Sequence, residues 1–196
     1  MHLTRSSQSP RPCGFSLIEL MIAVVIFAFL ILLAGPMYTD FIANSRVRNA
    51  GESVLNGVRM AQSQAVKNNN NAWFVIDPAT GWSVFSSDDD ADCAGSLVTN
   101  YVFSDSGAAK TTVTTASGNT MVTFDGLGRI RANRDGACAV QPIADSLAQV
   151  DITSSYLATA RNLRVVISAV GGSAGTKLCD PGISAAVSPN DPALCP

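Results

Sequence analysis

The side chains able to do chemistry in this 196-residue chain are few, and their spacing excludes most of the usual sites. Histidine occurs once, at His2, so a Ser-His-Asp or Cys-His nucleophile and a His-ligated metal all lack their usual residue. The five cysteines, Cys13, Cys93, Cys138, Cys179 and Cys195, contain no CxxC pair and have no histidine to complete a zinc site. Asp88-Asp89-Asp90-Ala91-Asp92 gathers carboxylates that a hard cation could use. It lacks the alternating ligands, the glycine and the distal glutamate of a calcium loop, and reads as a solvated acidic loop. Gly128-Arg129-Ile130-Arg131, followed by Arg134, is a basic cluster that could meet phosphates or simply be a turn with solvated arginines. The most informative residue is Glu19, a single carboxylate inside a long apolar run. In lipid such a group costs up to about 2.5–3.5 kcal/mol, so it needs a cationic partner. No constellation asks for catalysis, and no cofactor is expected.

The element that must position Glu19 runs from Phe15 to Gly35. As a helix these residues would extend about 31 Å, enough to cross a bilayer. Ahead of them lies a polar leader, Met1 to Gly14, with Arg5 and Arg11. A secretory signal peptide would place a shorter apolar region after its basic residues and end it at a small-x-small site. Here the apolar run ends in Gly35-Pro36, which reads as a retained anchor. The arginines orient its start to the cytoplasm and the rest of the chain outside the inner membrane, in the periplasm. Without the leader the chain carries 11 basic and 15 acidic residues, a balance that weighs against DNA as a partner for the whole domain.

Beyond Pro36 the chain turns polar but keeps a helical period. Val47, Ala50, Val54, Val58, Ala61 and Ala65 form one apolar stripe, with Arg46, Arg48, Asn49, Glu52, Arg59, Gln62 and Lys67 on the opposite side. Asn68 to Asn71 should end this helix. Residues 72–77 and 82–86 then alternate as a hairpin around a Pro78-Ala79-Thr80-Gly81 turn. Further strands are expected at 98–103, 111–115, 120–124, 148–153 and 163–169. The expected class is α+β: a long N-terminal helix, transmembrane and then amphipathic, packed on an antiparallel β-sandwich-like domain. Its segments would be 1–14, 15–36, 37–71 and 72–196.

The stretch Cys13-Gly14-Phe15-Ser16-Leu17-Ile18-Glu19-Leu20-Met21 resembles the leader junction of type IV pilins and type II secretion pseudopilins. That resemblance implies a prepilin peptidase that cuts after Gly14 and methylates Phe15. It implies that Glu19, fifth in the mature chain, neutralises the N-terminal amine of a neighbouring subunit, and that Pro36 kinks the helix. The implied partners are other minor and major pilins and an inner-membrane assembly platform. The implied role is a subunit at or near a filament tip that helps to initiate assembly.

Two further stretches narrow the resemblance. Val122-Thr123-Phe124-Asp125-Gly126-Leu127-Gly128-Arg129 is similar to the GspH/FimT (FimU-like) group of minor pilins and pseudopilins. So is the end of the chain, where a closing strand leads through Gly171-Gly172-Ser173-Ala174-Gly175 to Leu178-Cys179-Asp180-Pro181. With Cys13 lost in the leader, four cysteines remain and three pairings are open. The sixteen-residue step and its Pro/Gly/Ser-rich tail favour Cys179 with Cys195, leaving Cys93 with Cys138. DNA-binding members of the group carry a GRxR motif just ahead of the cysteine. The matching stretch here, Gly175-Thr176-Lys177-Leu178, keeps only Lys177, so a transformation role would rest on Arg129, Arg131, Arg134 and Lys177.

Overall fold

The computed structural model describes residues 14–87, 95–105, 107–134, 139–170 and 173–196. Cys13, Cys93, Cys138 and the acidic run at 88–92 lie outside them, and with them the expected Cys93–Cys138 pairing. The chain divides into two units, Met1–Thr39 and Asp40–Pro196. One helix, α1 (Leu17–Asn68), passes through both.

In the second unit α1 buries the predicted stripe completely. Val47, Ala50, Val54, Val58, Ala61 and Ala65 have essentially no exposed surface. The helix stops where the asparagines begin. Asn69 takes a left-handed backbone (φ 49°), its N–H donates to the Val66 carbonyl, and the N–H of Asn70 reaches back to Ala65. This closing pattern satisfies carbonyls that the last turn would leave unpaired, and asparagine tolerates the left-handed position it needs.

Among the described residues nine strands follow, in two antiparallel sheets. β1 (Ala72–Asp77), β2 (Gly81–Ser86), β3 (Ser96–Val102), β5 (Met121–Phe124) and β6 (Ile130–Arg131) form the first, in the order β3-β2-β1-β5-β6. β4 (Thr111–Thr115), β7 (Gln149–Ser154), β8 (Leu163–Val170) and β9 (Ser173–Cys179) form the second, in the order β4-β7-β8-β9. Alternation does the sorting: Ala72, Phe74 and Ile76 of β1 point inward, while Trp73 and Val75 between them are half-exposed. Phe74, Val84, Val122 and Phe124 from one sheet and Val150, Ile152 and Val165 from the other join the helix stripe in one core. Each side chain of this size contributes about 1.5–3 kcal/mol when fully buried.

Three expectations need correction. Gly81 belongs to β2 and pairs with Asp77, so the first hairpin turns on Pro78, Ala79 and Thr80 alone. The Gly-rich stretch is not all turn, because Ser173, Ala174 and Gly175 pair with Val170, Ala169 and Ser168 as the start of β9. Ile130 and Arg131, expected in a basic turn, form β6 and pair with Phe124 and Thr123.

The helix also reaches both sheets through its glycines. A Cβ on Gly51 would meet Leu178, Leu163 and Ile152 of the second sheet. One on Gly57 would meet Phe74 and Trp82 of the first. Between the sheets, Gln62 Nε2 donates to the carbonyls of Gly128 (3.0 Å) and Ala174 (3.1 Å). Gln62, expected on a solvated face, is therefore a clamp at the seam.

Candidate functional site

In the first unit, the helix carrying Glu19 starts from a short sequence device. The Ser16 hydroxyl accepts the backbone N–H of Glu19 at 3.2 Å, which caps the first turn. Glu19 itself lies in that turn, where the exposed amides favour a negative charge. Every large apolar side chain from Phe15 to Leu32 is more than half exposed, and among the described residues Glu19 forms no ion pair. Gly14 and Phe15 precede the helix, so the bond between them is exposed and outside regular hydrogen bonding. Among the described residues a Cβ at Gly14 would meet nothing within 4 Å. Pro36 lies within α1 and has no N–H for the Leu32 carbonyl, the usual chemistry of a helix kink. Among the described residues no single helix is long and apolar enough to cross a membrane. Leu17–Leu32 and Met37–Asn68 meet the length and composition test only when taken together.

In the second unit the predicted basic residues are placed on different elements, and three of them are engaged within the chain. Asp125 organises the β5–β6 turn: its carboxylate accepts the N–H groups of Leu127 and Arg129 and lies 3.5 Å from the Arg129 guanidinium. Gly128 closes that turn in a left-handed backbone (φ 73°), which explains the glycine in the Phe124–Arg129 motif. Arg131 donates to the Asn71 side chain at 3.1 Å. Arg134 makes an isolated bridge with Val140. Lys177 donates to the Leu194 carbonyl at 2.8 Å, so it fastens the tail. These residues build the domain rather than converge on a phosphate.

Cys179 and Cys195 form a disulfide that folds this tail back beside β9. The N–H of Asp180 donates to Ala193, and the Asp180 carboxylate pairs with Arg161, whose own N–H donates to Asn44 of α1. A cavity of about 540 Å³ lies here, lined by Phe41, Asn44, Arg48, Arg161, Leu163 and Leu178 among others. Arg48 pairs with Glu52 at 2.7 Å, and Arg164 with Asp151 at 2.6 Å. Among the described residues no cluster of three His, Cys, Asp or Glu side chains could hold a metal.

A second group of contacts could not be read from the sequence. Arg46 on α1 and Lys110 in the turn before β4 both lie over the ring of Tyr156, at 5.8 and 5.6 Å from its centre. Tyr156 sits in the β7–β8 loop, and no residue spacing links three positions so far apart in the chain.

The sequence profile of the family described as type II transport protein GspH matches residues 50–171, and that of the prokaryotic N-terminal methylation motif matches residues 10–35. No curated protein matches the chain. Among solved structures the chain is similar to the type IV minor pilin FimU of Pseudomonas aeruginosa in two crystal forms. The first shows 16% identity over 67% of this chain and 87% of that one, with a TM-score of 0.47. The second shows 14% identity over 66% and 91%, with a TM-score of 0.44. With one profile covering more than half of its length and the other its capped apolar start, this chain belongs to the GspH family of type IV pilin-like subunits.

Proposed function

We propose that the chain is the precursor of a minor pilin that is cut between Gly14 and Phe15 by a prepilin peptidase and N-methylated on Phe15. The stem then waits in the inner membrane as a single-pass anchor with the second unit in the periplasm, and passes into a filament at or near its tip to help start assembly. The observation that carries this reading is Glu19: one carboxylate in the first turn of an otherwise exposed apolar helix, without an ion-pair partner among the described residues. Neither lipid nor a lone helix can satisfy it, whereas the new amine of a neighbouring Phe15 can, and that pairing would set the axial register between stems.

The surroundings of Gly14 support the cleavage step. Among the described residues nothing lies within 4 Å of a side chain built there, which fits a demand for glycine made by the enzyme that cuts rather than by packing. The test is intact mass and N-terminal analysis of protein expressed with and without a prepilin peptidase. The expected product begins at N-methylated Phe15. Glu19→Ala should still be cut but should fail to enter filaments. A chain that keeps residues 1–14 in the presence of the peptidase, or a Glu19→Ala subunit that assembles normally, overturns the reading. The family's description as a type II transport protein favours a second setting, the periplasmic pseudopilus of a secretion system. A deletion strain separates them: loss of surface pili supports the first, loss of protein secretion with intact pili the second.

A further inference from the structure

The first sheet ends in a strand whose outer edge is open among the described residues. β3 is that strand, and the N–H of Phe103, donating to the Thr80 carbonyl at 2.9 Å, sets the phase of its ladder with β2. Backbone groups alternate sides along an antiparallel strand. Phe103 and Tyr101 therefore face β2, while the N–H and C=O of Asn100 and Val102 point away from the sheet. Edge strands are usually blunted by charge, proline or shortness, yet β3 has seven residues with neither a charge nor a proline among them. Its one irregularity, a register shift opposite Val84 and Phe85, lies nearer its start. The other edges differ. β6 has two residues, and β4 is shorter than β3 and begins beside Lys110. β9 is held through Ala174, whose N–H donates to Gly128 and whose carbonyl accepts Gln62.

Beside this edge lies a pocket of about 230 Å³, whose lining runs from Asn100 and Val102 on β3 through Ser83 and Phe85 to Asp77. Asp77 is the one charged residue in that lining. Its carboxylate accepts the Ala79 N–H and the Thr80 hydroxyl, and among the described residues no cation pairs with it. We propose that β3 accepts an extended segment of a partner protein as an added strand, uncharged except for a lysine or arginine that reaches into the pocket toward Asp77. Main-chain hydrogen bonds to Asn100 and Val102 supply the grip, and the pocket beside them supplies the selectivity. Charge decides between occupants. A second copy of this chain, pairing β3 with β3, brings no basic residue, because Ser96–Val102 contains none. A strand with one basic side chain complements the pocket. The surface lies wholly within the second unit, so it stands apart from the proposed cleavage and anchoring.

The full chain in detergent tests this, by hydrogen exchange at the Asn100 and Val102 amides. The probes are a blocked peptide of alternating valine and threonine around one lysine, and the same peptide with glutamate in that place. Expected is saturable slowing, reached with the lysine peptide at a concentration at least about fivefold lower than with the glutamate peptide. An exposed ion pair is worth up to about fivefold, and a like charge opposes by a similar factor. Val102→Pro removes an N–H that β2 does not use, so β3 should stay in its sheet while the slowing at Asn100 is lost. Asp77→Asn leaves the edge untouched and should keep the slowing but lose the preference for lysine. No slowing with either peptide, an equal response to both, or slowing at Asn100 that survives Val102→Pro overturns the proposal. Slowing that grows with protein concentration and needs no peptide also overturns it, and makes a second copy the occupant.

Discussion

Gly51 and Gly57 lie on the buried side of α1, and replacing each by alanine should shift stability in opposite directions. In a helix interior, Gly→Ala gains about 0.8–1 kcal/mol of propensity at either position. The difference is what the new methyl meets. At Gly57 it would stand 2.7 Å from the Phe74 ring and 3.0 Å from Trp82. Neither ring has room to retreat: Phe74 is fully buried, and Trp82 stacks on Tyr101, with ring centres 5.5 Å apart and planes 7° from parallel. The Trp82 indole also donates to Ser53 at 3.4 Å, from the same helix. Overpacking a fixed site costs about 1–3 kcal/mol, and this one should lie in the upper half, leaving Gly57→Ala about 1–2 kcal/mol less stable than the parent. At Gly51 the nearest atom is a terminal methyl of Leu178 at 3.0 Å, followed by Leu163 at 3.7 Å. A leucine end can yield by a few tenths of an ångström, so Gly51→Ala should be neutral or up to about 1 kcal/mol more stable. Urea denaturation of both full-length variants in detergent, followed by tryptophan fluorescence, reads the two signs. If Gly57→Ala is the more stable of the pair, the close approach of helix and first sheet is wrong.

Two further outcomes follow from the second unit. Cys195→Ser should lower stability by about 3 kcal/mol, the value for a loop of about fifteen residues, and should remove the share of the reductant response that comes from the Cys179–Cys195 bridge; unchanged denaturation would refute a stabilising tail. Asp77 accepts the N–H of Ala79 (2.9 Å) and then the Thr80 hydroxyl (2.8 Å), which hold its carboxyl below the usual carboxylate range. A depressed folded value means that its stabilisation is present above the ordinary carboxylate pKa and is lost as pH falls through the folded one. Asp77→Asn should flatten the acid limb of a stability-against-pH curve, and an unchanged slope would count against the hairpin turn as drawn.

What could be read in the sequence was what local rules decide. Glu19 stood out because its surroundings in the chain are wholly apolar. The helix stripe and strands β1, β4, β5, β7 and β8 followed from period, because one face of each is buried by the same core. β9 escaped because Ser173, Ala174 and Gly175 have turn composition and little strand propensity; their pairing with β8 and the Gln62 clamp hold them extended. β6 escaped because two residues cannot show a period. Gln62 looked like a solvent-facing residue, since a helical wheel shows its angle but not the two carbonyls waiting there. The basic letters of Gly128–Arg134 left phosphate contact and a turn with solvated arginines both open, and neither reading foresaw that Asp125, Asn71 and the Phe124–Arg129 turn use those residues for the fold itself.

The two units differ in how complete they are, and that difference bears on function. In the second unit Arg48, Arg161, Arg164, Arg131 and Lys177 have partners within the domain, and the seam between the sheets is closed by Gln62. Such a unit loses little by being moved from one environment to another. The first unit is the reverse: an apolar surface without cover, and a carboxylate without an ion pair among the described residues. Lipid can cover the apolar surface but cannot pair Glu19, while a bundle of stems cut at Phe15, as proposed, would do both, since each cut frees an amine. Under the proposed function the stem waits in a membrane and is better satisfied in a filament, a difference that a single carboxylate is sufficient to create.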